Sequence, residues 1–505
     1  MDPCLWNVRM DTALTERVSR QLGGPAIGAS KKGRGEVGQT IRLGIDVACR
    51  ADHQASCADA TGEFLWSGWR FRTTPADLER LWAKVPNGAE VTVVLEPTRN
   101  AWVPLAAWLR ARGAKVVMVP PEQSADLRDY YNKHTKTDRL DSRILARLPL
   151  LHPDGLRSID HLGPAQPLVR AVRLRSSLVK RRTATAQRLD SLVELLGPSW
   201  GDVLGTGDYN KSSLAVLERY ADPRALKKLG RKRLATLLIR ASRGAWREAK
   251  ADELLAAAEE SIELWAAGGL DFEELAGDIA TEVRLLRNLG AEIDAMEDRI
   301  EALYDEADPK GIVVSAPGIG VTLAAGILGR LGDPDRFANL AGVRSFTGIV
   351  PKIDQSGLAN RHKGVTKAGD PGLREALYLA ADQARRVDPT IAERYHRLVV
   401  EGGRHHVSVT CTLAAVMATR IAACWRRGER YVLKDVDGRE ITEAEGRKIC
   451  AERYKVSAEV RAARRRAGAA QQMKKGAGRG SKESTKAAPA SDPPSANAIP
   501  VAGAA

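Results

Sequence analysis

The sequence predicts an α/β domain with one mixed sheet near its start, then a helical body and a basic, low-complexity tail. Three observations predict it. Strand-like apolar runs crowd between residues 41 and 119 and stop from about 165. Helical periodicity takes over from there to about 435. After about 455 the composition shifts to Arg, Lys, Ala, Gly and Pro, which cannot bury a core. A chain of 505 residues has room for about three or four domains, and 44% hydrophobic residues supply their cores.

Residues 1–40 end in the Gly- and Lys-rich stretch GASKKGRGEVGQT, which reads as a flexible lead-in. Order starts at IRLGIDVACR, and strands are expected over 41–49, 53–60 and 63–71, with a turn at Thr61-Gly62. A helix over about 75–86 leads to the strand VTVVLE at 91–96. A helix over 100–112, the strand KVVMV at 115–119 and a helix through TDRLDSRILARL complete the domain, 41–160. Three antiparallel strands followed by alternating helix and strand give a mixed sheet.

The next region, 161–310, reads as helical and divided by charge. Residues 165–196 hold seven basic residues against two acids, a net of +5. Residues 224–250 hold ten against Glu248 alone, a net of +9, whereas 279–305 hold seven acids and three arginines, a net of −4. In that acidic helix Leu286, Leu289, Ile293, Met296, Ile300 and Leu303 recur at alternating spacings of 3 and 4, a coiled-coil seam expected to pair subunits. A mainly helical domain over 311–435 follows, with a Gly-rich basic loop at 354–370, and 436–505 form the tail.

The net charge of +15 points to a polyanionic partner. Residues 461–505 carry nine Lys and Arg against Glu483 and Asp492, a net of +7, so the remaining residues still carry +8. Six scattered cysteines without a CxxC pair suggest a reduced, cytoplasmic protein, not a zinc scaffold. No apolar run approaches the ~20 residues of a membrane span, and the N-terminus has no secretory h-region.

The acidic residues carry the chemistry. Asp46 stands in LGIDVA, an apolar run with no structural use for a carboxylate, and Glu96 ends VTVVLE. Asp138 and Asp141 lie three apart, on one face of a helix. With the first and fourth strands as neighbours, Asp46 and Glu96 meet at one sheet edge and the final helix lays its aspartates across them. Such carboxylates repel one another unless one or two Mg²⁺ ions make them an all-oxygen site. Two ions can stabilise the attacking and leaving oxygens of a phosphodiester displacement. Lys136 and Arg139 beside them suit the nucleic-acid backbone. Each motif alone has a plainer reading: GIDVA also opens sugar-kinase and actin-like ATPase domains, and TDRLD suits a solvated helix start, where acids meet the dipole.

In this order LGIDVA, LEPTRNAWVPLAAWLRARGAKVVMVPP and KTDRLDSRILARL resemble the RNase-H-like (RuvC-like) domain of the DEDD transposases, the insertion sequence 110 family, which includes the pilin-gene invertases. APGIGVTLAAGILGRLGDPDRFANLAGVRSFTGIVPKIDQSGLANRHKG resembles that family's C-terminal transposase domain. TRN after Glu96, the lead-in and the long tail depart from the pattern and touch no carboxylate. The resemblance implies a Mg²⁺-dependent transposase and recombinase in which Asp46, Glu96, Asp138 and Asp141 hold metal and Ser356 attacks DNA. It also implies a structured non-coding guide RNA as a partner besides DNA. Arg361, Lys363 and Lys367 would face phosphate beside Ser356. Gly318 and Gly320 of APGIG would form a helix-hairpin-helix-like phosphate contact, and Arg181 and Arg182 on the first basic helix would grip nucleic acid. A homo-oligomer, dimer or tetramer, is expected. A hydrolytic RuvC-like junction resolvase needs the four acids but not Ser356, and a non-catalytic nucleic-acid binder needs neither.

Overall fold

The computed structural model describes residues 39–119, 124–126, 137–151, 153, 156–158, 166–207, 209–356 and 359–466. The chain forms two units, Met1–Ser158 and Ile159–Ala505.

The first unit is built on the strands β1 (Thr40–Asp46), β2 (His53–Ala58), β3 (Phe64–Phe71), β4 (Glu90–Leu95), β5 (Lys115–Met118) and β6 (Arg157–Ser158). They form one sheet in the order β3-β2-β1-β4-β5-β6. β1 pairs antiparallel with β2 and parallel with β4, so the expected neighbourhood of the first and fourth strands is present. Helices α1 (Pro75–Trp82) and α2 (Trp102–Ala111) connect these strands and bury Leu78, Leu81, Leu105 and Leu109. α3 (Asp138–Leu151) packs Ile144, Leu145 and Leu148 against Val94, Val117 and Val119.

Gly44 sets how closely α3 approaches the sheet. A Cβ there would stand 2.2 Å from the Ser142 carbonyl oxygen and the Ala146 nitrogen, so only glycine admits the helix backbone at that distance. Ser56, opposite Gly44, reinforces the contact with a 2.8 Å bond between its Oγ and that of Ser142.

The second unit begins with α4 (Pro167–Val193), which runs alongside α10 (Phe272–Ala307). Arg175 bonds Glu297 at 2.8 Å and Arg188 bonds Glu282 at 3.1 Å, so the two helices are antiparallel. Between them lie α5 (Pro198–Leu204), α6 (Lys211–Tyr220), α7 (Pro223–Leu229), α8 (Arg231–Ser242) and α9 (Glu248–Leu264). These short helices form a core around Trp200, Leu217, Leu238 and Leu254 with one end of the pair. The other end, including Leu168, Val172, Met296, Ile300 and Tyr304, enters the core of the C-terminal helices. The expected boundary at 310/311 therefore falls inside a shared core.

This pairing corrects the reading of the seam. Leu286, Ile293, Met296 and Ile300 are buried within the chain and Leu289 and Leu303 half-buried, so the face expected to join two copies is covered.

Beyond it come α11 (Val321–Leu331), α12 (Leu340–Thr347), α13 (Pro371–Ala384), α14 (Pro389–His396), α15 (His406–Arg427) and α16 (Glu443–Arg453). α15 is long and apolar enough to cross a membrane by composition, but Val409, Leu413, Met417 and Ile421 are buried in the core. The basic stretch expected as a loop is largely a hairpin, β7 (Pro351–Ser356) with β8 (Ala359–Val365). The tail also starts later than residue 436. Thr442 and Glu445 form a capping box for α16, Val456 and Val460 pack on the core, and 458–466 are helical.

Candidate active site at the sheet edge

Parallel pairing aligns Ile45 with Leu95, so Asp46 and Glu96 follow side by side where β1 and β4 end. Adjacent strands lie about 4.8 Å apart, and the alternation of side chains puts both residues on the face of Gly44 and Val94, the face α3 covers. The direction of α3 brings its acidic end to the same edge. Near its C-terminal end Arg147 donates to the Gly62 carbonyl at 3.1 Å, beside the start of β1. Near its N-terminal end Arg139 donates to Ser67 Oγ at 3.3 Å, level with Gly44 in the second half of β1. Asp138 and Asp141 therefore stand in the first turn of α3 at the carboxylate edge. The helix dipole favours them there, and Thr137 Oγ1 accepts the Leu140 N–H at 3.2 Å as cap.

Two further side chains, unread from sequence, hold this edge. Ser124 is buried and its Oγ donates to Glu96 Oε2 at 2.6 Å, fixing one carboxylate oxygen. His53 is buried, and its Nδ1 accepts the Ala48 N–H at 3.1 Å, which pins the chain two residues after Asp46. Its Nε2 lies 2.7 Å from Thr73 Oγ1, consistent with Nε2 carrying the proton. Burial lowers the His53 pKa, which keeps the ring neutral and able to accept. A serine 28 residues from its partner and a histidine at a strand start have no local signal in the sequence.

The donor chemistry suits a hard divalent ion, because Asp46, Glu96, Asp138 and Asp141 offer only carboxylate oxygens. Among the described residues the four are not drawn together closely enough to form a group of three ligands. The edge collects two pairs of carboxylates without closing them around a point.

The other expected contacts are dispersed. Arg139 is braced on β3, and Lys136 lies outside the described residues. Arg181 is exposed on α4 and Arg182 half-buried. Ser356 is the last residue of β7, in register with Ala359, and Arg361 and Lys363 lie on β8. Exposed Lys367 follows the hairpin with a φ of +58°, a left-handed conformation that strains a residue with a side chain. Gly318 has a φ of +75°, and a Cβ there would meet Gln383 Cβ at 2.5 Å. That glycine serves close packing on α13, whereas Gly320, just ahead of α11, has open space around its Cα.

A mixed sheet of this order, with acids where its first and fourth strands end, defines the class: an RNase-H-like domain, here followed by a helical unit. A family model described as "Transposase", of the DEDD type, matches residues 43–198. A second, "Transposase IS116/IS110/IS902 family", matches residues 311–396. The chain is 28% identical over 400 residues to the "uncharacterized 43.6 kDa protein" of insertion element IS110 from Streptomyces coelicolor, covering 77% of this chain and 95% of that protein. It is 29% identical over 399 residues to the 42 kDa protein of insertion element IS900 from Mycobacterium paratuberculosis, covering 77% and 95%. It is 26% identical over 394 residues to the 44.8 kDa protein of IS116 from Streptomyces clavuligerus, covering 76% and 94%. Both matched segments and all three insertion-element proteins make the chain similar to the IS110 family of transposases.

Proposed function

We infer that the protein cleaves and rejoins DNA at the ends of a mobile element and at its target. Asp46, Glu96, Asp138 and Asp141 serve as the ligands of two Mg²⁺ ions, and Ser356 serves as the nucleophile. The observation that carries this reading is the register that sets Asp46 beside Glu96, with the acidic turn of α3 at the same edge. When bound, the ions would offset the charge that builds on the phosphate during displacement.

The chain's own residues do the rest. Ser124 orients Glu96, and His53 holds the turn that follows Asp46. The Ser356 hydroxyl gives up its proton as its Oγ bonds to phosphorus, and the strand's ester oxygen leaves as a hydroxyl. In the second step a DNA hydroxyl attacks the phosphoserine, releasing serine and joining the new strand. Joining two ends calls for two nucleophiles, so a dimer or tetramer is the working unit. A structured non-coding RNA pairs with donor and target DNA and selects the sites, while the protein reads backbone and shape. These reactions take place in the cytoplasm.

Labelled duplex carrying an element end, incubated with the protein, Mg²⁺ and RNA transcribed from the element's flank, tests this on a denaturing gel. A covalent DNA–protein adduct mapping to the 351–365 hairpin is expected, lost in Ser356→Ala along with rejoining. Asp46→Asn, Glu96→Gln, Asp138→Asn and Asp141→Asn should each abolish cleavage and leave DNA binding nearly unchanged. Cleavage by Ser356→Ala at the wild-type rate, with no adduct, would make the protein a hydrolytic resolvase. Normal cleavage by any two of the carboxylate variants would remove the metal site.

A further inference from the structure

The helical bundle of the second unit carries a groove of about 450 Å³ between α6, α8 and α10. Arg219, Arg233, Arg240 and Arg287 line it, with Glu218 as its lone carboxylate. Arg233 and Arg240 stand seven apart, two turns along one face of α8. Glu218 is already engaged by Arg287. Among the described residues Arg219, Arg233 and Arg240 make no ion pair or side-chain hydrogen bond. Their neighbours differ. Arg231 is paired with Asp252 and Lys227 with Glu259, both across to α9. The basic segment is therefore neutralised on one side and left charged on the other. The charged side borders a concavity with Leu237 in its wall.

Gathering guanidinium groups without counter-charge costs free energy unless an anion enters. A guanidinium beside an apolar wall binds that anion more strongly than one in open water, because its charge is less screened. Its planar fork of donors matches a phosphate. We propose that this groove is a phosphodiester-binding site, in which Arg219, Arg233 and Arg240 hold the backbone of a nucleic acid strand. The proposal rests on the reading that the protein acts on nucleic acid and adds to it where the strand is gripped.

The test is the salt dependence of binding of the full chain to duplex DNA and, separately, to a structured RNA. Each lost phosphate contact lowers the slope of log K against log salt by about 0.9 on duplex DNA and ~0.7 on single strands. The triple variant Arg219→Gln, Arg233→Gln, Arg240→Gln should lower the slope by about two to three on the nucleic acid that occupies the groove. The one that responds identifies the strand. The matching Arg→Lys triple should keep most of the slope, separating charge from packing. The control Lys227→Gln, Arg231→Gln, whose charges are already paired, should leave it unchanged. A wild-type slope in the Gln triple on both nucleic acids would overturn the groove and leave the transposase reading intact. Failure of the wild-type chain to bind either one would overturn both.

Discussion

Gly44 shows how one missing side chain governs the candidate site. Its Cα lies under the backbone of α3, so the register that sets Asp46 beside Glu96 also fixes the height at which Asp138 and Asp141 arrive. In Gly44→Ala the new methyl group would meet three backbone atoms, none of which can rotate away. Overpacking of this kind costs about 1–3 kcal/mol. The variant should melt lower and lose cleavage together, and a wild-type melting temperature would show that α3 can shift without cost. Ser124→Ala should separate the two effects. It removes the 2.6 Å bond to Glu96 and little packing, so cleavage should fall by about 10–100-fold with the melting temperature nearly unchanged. The carboxylates were legible in the sequence because each interrupts an apolar run or opens a helix. Gly44 and Ser124 were not, because what they touch lies 98 and 28 residues away.

At the scale of elements, the same limit explains the seam. A repeat of 3 and 4 residues shows that a helix has an apolar stripe, and it does not say what covers the stripe. In α10 the cover is α4, which is as long as a coiled-coil partner and belongs to the same chain. Ile300 is 1% exposed in the core that this pair shares with the C-terminal helices. Ile300→Ala should cost about 2–5 kcal/mol of stability without changing the mass seen by light scattering. A halved mass with the fold retained would show instead that the seam joins subunits. The hairpin β7–β8 was hidden for another reason. Its strands PKIDQS and ANRHKGV hold one large apolar residue each, Ile353 and Val365, too few to show an alternation.

For the whole molecule, the sequence placed the end of the folded second unit too early. The run of arginines after residue 460 looks like the start of a solvated tail, yet it still contributes to the second unit. Arg464 donates from Nε to the Val399 carbonyl and from Nη2 to the Val400 carbonyl, each at 3.2 Å. Those carbonyls belong to a π-helical segment, Arg397–Glu401, where the ordinary helical ladder is broken. Composition reports arginine as surface charge, and here one arginine closes a helix end. Residues 467–505 carry five Lys and Arg against Glu483 and Asp492, a net of +3, which leaves +12 on the rest of the chain. Two truncations therefore behave differently. Ending the chain after Arg466 should leave the melting temperature and the cleavage products unchanged and weaken nucleic-acid binding chiefly at low salt, where diffuse attraction counts most. Ending it after Val460 strips the Arg464 contacts, and leaving backbone carbonyls short of a charged donor costs about 1–3 kcal/mol. That shorter chain should melt several degrees lower, and Arg464→Ala in the full chain should reproduce most of the loss. Equal melting temperatures for both truncations would make everything after Val460 a tail.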